Sequence, residues 1–183
     1  MRDFTISRRY AKALFFLGQE DGNFVRYGQE LEAFRTFLNQ EAQVQAILVS
    51  PVYDKAGRKN LLTAILEKTD ISPTVKSFFL LGQSKGRIGY LEGIGRYYQQ
   101  LTDELSNITR AVVTTATQLS EDLVSRIQEA LKQVVKKEVL VTVRQDSAII
   151  GGIVAKVGDL LLDGSLQTQL KRLKESLRRG EGI

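Results

Sequence analysis

The stretch Tyr97-Tyr-Gln-Gln-Leu-Thr-Asp-Glu-Leu105-Ser-Asn-Ile108-Thr-Arg-Ala-Val-Val-Thr-Thr-Ala-Thr117 holds two different periodicities. Up to Leu105 the apolar residues recur at helical spacing. From Thr109 the chain turns β-branched and reads as a strand. The aromatic residues stop at the same place. All eight Phe and all six Tyr lie between Phe4 and Tyr98, and no ring follows in residues 99–183. One part packs large rings and the other only aliphatic side chains, which predicts two domains with separate cores, residues 1–105 and 106–183.

Working back from the junction, the first part reads as helices throughout. Ile6, Tyr10, Ala13, Leu14 and Leu17 form one stripe of a first helix, which Asp21-Gly-Asn23 ends, with Gly22 as a left-handed cap. A second helix carries Phe24, Tyr27, Leu31, Phe34 and Leu38, with Glu30 and Glu32 expected to face water. A short helix near Val44–Leu48 stops at Ser50-Pro51, and Asp54 caps a fourth bearing Leu61, Leu62, Ile65 and Leu66. Ser72-Pro73 pairs an N-cap with proline at the first helical position, and a last helix runs from Arg87 to Glu104.

Working forward, Ser120 caps a helix whose buried stripe is expected to be Leu123, Ile127, Leu131 and Val134. Val139, Val141 and Val143 alternate with Leu140, Thr142 and Arg144 as a strand. Residues 149–157 read as another strand, containing the pair Gly151-Gly152, and Leu160–Leu162 as a short one. Asp163-Gly-Ser165 turns into a final helix with Leu166, Leu170, Leu173 and Leu177. The expected fold class is mainly α, an N-terminal six-helix bundle followed by a small α+β C-terminal domain.

Chemistry is hard to find in this chain. It has no cysteine and no histidine, which removes thiolate nucleophiles and the commonest general base and metal ligand. Gly82-Gln-Ser-Lys-Gly86 has the wrong spacing for a phosphate loop, and the run after Gly93-Ile-Gly95 puts Tyr98 where a dinucleotide fingerprint needs a small residue. Asp159 and Asp163 flank a short strand but are too few for a metal site. No catalytic residue, cofactor or metal is expected. The net charge of +5 is spread over both parts, with one local excess at Lys171, Arg172, Lys174, Arg178 and Arg179. A small basic RNA-binding or scaffold protein is the alternative reading. Sheet-based readers of single strands stack bases on aromatic rings, and the second part has none. The opening residues lack a signal peptide's apolar core, and no stretch approaches the roughly 20 apolar residues of a membrane span.

Two faces have more apolar surface than one core requires. The first helix adds Ala11 and Phe15 to its stripe, and the fifth carries Val75, Phe78, Phe79, Leu80 and Leu81. Either both helices are central and buried all round, or a groove between them takes a partner's amphipathic helix. The four leucines of the last helix form a narrow seam. They either cover the small sheet or dock a partner's helices.

Three segments carry a family resemblance. Arg9-Tyr-Ala-Lys-Ala-Leu-Phe15, Leu48-Val-Ser-Pro51 and above all Gly151-Gly-Ile-Val-Ala-Lys-Val-Gly-Asp-Leu-Leu-Leu-Asp-Gly-Ser165-Leu resemble motifs of ATP synthase delta subunits, counterparts of the mitochondrial oligomycin-sensitivity-conferring protein. Gly82-Gln-Ser-Lys-Gly-Arg87 departs from the family's pattern except at Gly86 and Arg87. The resemblance implies a non-catalytic peripheral-stalk subunit linking the catalytic head to the stator, peripheral to the cytoplasmic face of a bacterial plasma membrane. It implies that the first and fifth helices bind the N-terminal helix of an alpha subunit, with Tyr10, Ala11, Leu14, Phe15, Phe78 and Leu81 lining or supporting the groove. It further implies that the second domain holds the C-terminal ends of the b subunits, for which Leu173, Lys174, Leu177 and Arg178 are the candidates.

Overall fold

In the computed structural model, which describes residues 2–146 and 149–179, the chain is mainly helical with one small four-stranded sheet. It divides into two compact units, Met1–Asp103 and Glu104–Ile183.

Among the described residues, the first unit holds α1 (Arg2–Glu20), α2 (Phe24–Gln40), α3 (Ala42–Val49), α4 (Lys55–Glu67), α5 (Pro73–Ser84), a single 3-10 turn at Ile88–Tyr90, and α6, which runs from Leu91 to Leu105. Local chemistry fixes several ends. Gly22 takes φ +73° between α1 and α2, a conformation costly for residues with a Cβ. Asp54 accepts a hydrogen bond from the Gly57 N–H at 2.8 Å, which caps α4. The core is one cluster centred on Leu14, Leu31, Leu48, Leu62, Val75, Phe79 and Tyr98. Its rings meet edge-on or tilted, Phe15 on Tyr98 at 5.6 Å and Phe34 on Phe79 at 4.2 Å between centroids.

Two expectations fail here. Glu30 does not face water: it is buried, accepting hydrogen bonds from Ser72 N–H at 3.1 Å and Ser72 Oγ at 2.6 Å, with Arg26 Nε at 2.8 Å on its other oxygen. Ser72 precedes Pro73 as expected, but its hydroxyl serves Glu30 rather than the end of α5. The carboxylate thereby ties α2 to the start of α5. Glu30→Ala is expected to cost about 2–3 kcal/mol in urea unfolding, because it orphans two buried donors of Ser72 bonded to a charged acceptor. The second failure concerns α1. Ser7, Ala11, Leu14, Phe15 and Gly18 face the core, while Ile6 and Tyr10 are half-buried and Ala13 and Leu17 are exposed. Small residues decide the matter. A Cβ on Gly18 would lie 2.7 Å from Phe24 Cα, and one on Gly93 would lie 2.5 Å from Ser7 Oγ. Only the Ser7–Ala11–Gly18 side lets α2 and α6 approach this closely, so the bulkier stripe turns outward.

The second unit holds β1 (Ile108–Thr115), α7 (Glu121–Val135), β2 (Glu138–Gln145), β3 (Ile153–Val157), β4 (Leu160–Asp163) and α8 (Leu166–Arg179). The sheet order is β2-β1-β3-β4, with β1 and β2 parallel and the other pairs antiparallel. Ala111 and Val113 of β1 pair with Val141 and Val143 of β2 on one side, and with Val157 and Ala155 of β3 on the other. Ala111, Val113, Ala155 and Val157, with Val139 and Leu131, form the aliphatic core, and Val141 packs against it. Ser120 caps α7 through the Leu123 N–H. Val134 is exposed and Val135 packs on the core in its place, because it lies four residues after buried Leu131 on the same face of α7. Gly151 and Gly152 precede β3 instead of lying within it.

Candidate interaction surfaces

On the first unit, the stripe that α1 turns outward consists of Ile6, Tyr10, Ala13 and Leu17, at spacings that keep it on one face. From α5, Thr74, Phe78 and Leu81 do the same. The two stripes adjoin through Tyr10 and Phe78, whose rings meet edge-to-face at 6.1 Å and 69°. Leu17 is 48% exposed and Leu81 51% exposed. Together they make a candidate apolar groove, with the half-buried Tyr10 and Phe78 as its floor. Phe78 stacks on buried Phe79, which stacks on Phe34, so the floor rests directly on the core. Tyr27 donates its hydroxyl hydrogen to Asp21, and its oxygen lies 3.1 Å from Thr74 Oγ1, which locks α5 against the turn that follows α1. That donation raises the Tyr27 pKa and lowers that of Asp21.

Of the residues expected to form this groove, Tyr10 and Phe78 are half-buried and in ring contact, and Leu81 is exposed. Ala11, Leu14 and Phe15 are buried and belong to the core instead. Ile6, Ala13 and Leu17, expected on one stripe with Tyr10 and Leu14, stand on the outward side with Tyr10, while Leu14 is buried. The signal that separates the faces is the Ser7–Ala11–Gly18 spacing, which marks the close-packed side.

On the second unit, the long glycine-rich signature is a structural knot. The Leu166 N–H donates to Gly151 O at 2.9 Å and the Gly164 N–H to Ile153 O at 2.9 Å. A Cβ on Gly152, whose φ is +86°, would lie 2.4 Å from Gly164 O. Asp163 accepts from Ser165 N–H at 2.9 Å and from Thr168 Oγ1 at 2.8 Å. These bonds, the backbone one first, hold its carboxyl below the usual carboxylate range. The knot sets the direction in which α8 leaves the sheet. Gly152→Ala is expected to destabilise this unit by about 2 kcal/mol or more, since backbone must move, and to raise amide exchange at the start of α8.

α8 does not cover the sheet. Leu166, Leu170, Leu173 and Leu177 are 46%, 65%, 48% and 68% exposed and form an uncovered stripe. Lys174 and Arg178 are exposed beside it. The side chain of Arg179 lies outside the described residues. The sheet edge adds Leu160, Leu161 and Leu162, all exposed.

Among the described residues no group of three or more potential ligands assembles a metal site. Asp163 is committed to its turn, and the sheet presents no ring on which a base could stack. No helix among them is long and apolar enough to cross a membrane.

Comparison with known proteins gives these surfaces a context. Residues 6–177 match the family described as ATP synthase delta (OSCP) subunit. The ATP synthase subunit delta of Desulfatibacillum aliphaticivorans is 45% identical over 183 residues, covering all of both chains. That of Desulfosudis oleivorans is 43% identical over the same span. Among solved structures, a chain of the Toxoplasma gondii mitochondrial ATP synthase hexamer has a similar fold, with TM-score 0.67 over 93% of this chain and 96% of the other at 17% identity.

Proposed function

The chain belongs to the ATP synthase delta (OSCP) subunit family, a non-catalytic peripheral-stalk subunit of F-type ATP synthase, and from that premise we propose how it makes its two contacts. The six-helix bundle of residues 1–105 receives the N-terminal helix of an alpha subunit in the α1–α5 groove. The α+β domain of residues 106–183 receives the C-terminal ends of the stalk's b subunits along the α8 stripe. The whole is held at the cytoplasmic face of a bacterial plasma membrane through the complex.

The observation that carries this reading is the adjoining pair of outward apolar stripes, Ile6–Tyr10–Ala13–Leu17 and Phe78–Leu81, locked together by Tyr10 on Phe78. An amphipathic helix laid along them would bury its own stripe and theirs. The mechanism is mechanical: turning of the central rotor drags on the head, and this joint transmits the reaction to the stalk without moving. A nanomolar contact corresponds to about 12 kcal/mol, and two contacts in series fail at the weaker one. The test is titration calorimetry with a synthetic peptide of the same organism's alpha-subunit N-terminus, with a structured RNA as control. One-to-one binding with a negative heat-capacity change is expected. Salt-sensitive RNA binding without peptide binding would overturn the reading.

A further inference from the structure

We propose that the first unit carries a hydrogen-phosphate site in the cleft between α4 and the end of α5, apart from the groove used for the partner helix. The cleft, of about 310 Å³, is lined by Lys55, Arg58, Lys59, Gln83, Lys85 and Gly86. Its four cations form no ion pair with any described residue, and its lining includes no carboxylate. The nearest acid in sequence, Asp54, is engaged as the cap of α4 through Gly57 N–H.

Charge alone would make this a solvated face. Two buried atoms make it a site. Arg58 Nε is shielded from solvent and has no hydrogen-bond partner in the protein, and neither has Gln83 Oε1. Gln83 is only 7% exposed. Its amide orientation is fixed, because Nε2 lies 3.2 Å from Leu48 O, and a carbonyl can only accept. Oε1 must therefore be the atom left over. Leaving a desolvated donor and a desolvated acceptor unmatched is unfavourable, so a ligand that matches both binds more tightly than one that matches a single atom.

The required ligand has anionic oxygens for Arg58 Nε and the lysines, and a hydrogen to donate to Gln83 Oε1. Sulfate has the oxygens but no hydrogen. A fully ionised phosphate monoester has no hydrogen on its phosphate group, and neither has a phosphodiester. Inorganic phosphate at neutral to mildly alkaline pH carries both. Gly86, with φ +65°, turns the chain at the rim of the cleft.

The experiment titrates the full chain with inorganic phosphate at constant ionic strength and mildly alkaline pH, followed by calorimetry and amide chemical shifts. Sulfate, a phosphate monoester and phosphatidic acid vesicles serve as comparators. Saturable one-to-one phosphate binding, at least about tenfold tighter than sulfate, is expected, with shifts confined to α4 and the end of α5. Arg58→Lys keeps the charge but removes the buried donor, and should lose most of the phosphate affinity without lowering the melting temperature. Gln83→Leu should reduce phosphate to the affinity of sulfate. Equal binding of phosphate and sulfate, preference for the ester or the vesicles, or an Arg58→Lys variant that binds phosphate normally would each overturn the proposal. None of these outcomes bears on the partner-helix groove, whose test uses a peptide.

Discussion

Phe15→Asp should unfold the helical unit, whereas Leu81→Asp should leave it folded and abolish binding of the alpha-subunit N-terminal peptide. Phe15 is 7% exposed and sits between Phe24 and Tyr98, with ring centroids at 6.0 and 5.6 Å. Removing such a ring costs about 3–5 kcal/mol, and the carboxylate left behind would be buried without a partner. Against a total stability of roughly 5–15 kcal/mol that is enough to unfold the unit at room temperature. Leu81 is 51% exposed at the groove, so its loss removes little folded-state packing. In the complex the balance reverses. A helix laid on the groove would bury Leu81, worth about 1.5–3 kcal/mol, and the aspartate would be desolvated against apolar surface in its place. The peptide affinity should fall by at least about 100-fold. Far-UV circular dichroism through a urea titration separates the two variants, and calorimetry measures the second. A Phe15→Asp chain that folds normally and fails only in binding would mean that α1 presents the face opposite to the one described here.

Why the two faces of α1 exchange roles shows what a sequence yields and what it withholds. Spacing identifies the helix, its caps and its excess of apolar surface, because these are properties of one segment. Which stripe is buried depends on how closely α2 and α6 approach, and that is decided by Gly18 against Phe24 and by Gly93 against Ser7, residues far apart in the chain. Glu30 makes the same point. On a wheel it is a charged residue on an outward flank, and only Ser72, 42 positions later, explains why it is buried. The β1–α7–β2 segment was legible because alternation and capping are local, with Val134 and Val135 exchanged in the last turn of α7. The Gly151-Gly152 pair resembled strand because apolar residues surround it. Its purpose, letting the backbone pass within a few ångströms of Gly164, lies in contacts beyond the reach of a pattern.

α8 supplies the second large expectation. Leu173→Gln combined with Leu177→Gln should leave the melting temperature of the chain unchanged and eliminate binding to the C-terminal segments of the b subunits. Glutamine is nearly as good a helix former as leucine, and the two leucines are 48% and 68% exposed, so neither propensity nor packing within this chain is lost. In a docked complex each would bury most of its side chain, about 1.5–3 kcal/mol apiece, which together correspond to roughly 10²–10⁴ in affinity. Lys174→Glu with Arg178→Glu should act differently, because these cations flank the stripe instead of forming it. Their loss should slow association and weaken its salt dependence, with a smaller change in dissociation. Surface plasmon resonance with the b segments at two ionic strengths reads all of these quantities. If the leucine variant melts lower instead, the stripe packs against this chain in solution and the b subunits must dock elsewhere on the unit. If it binds normally with an unchanged melting temperature, the exposed edge of β4, with Leu160, Leu161 and Leu162, becomes the surface to alter next.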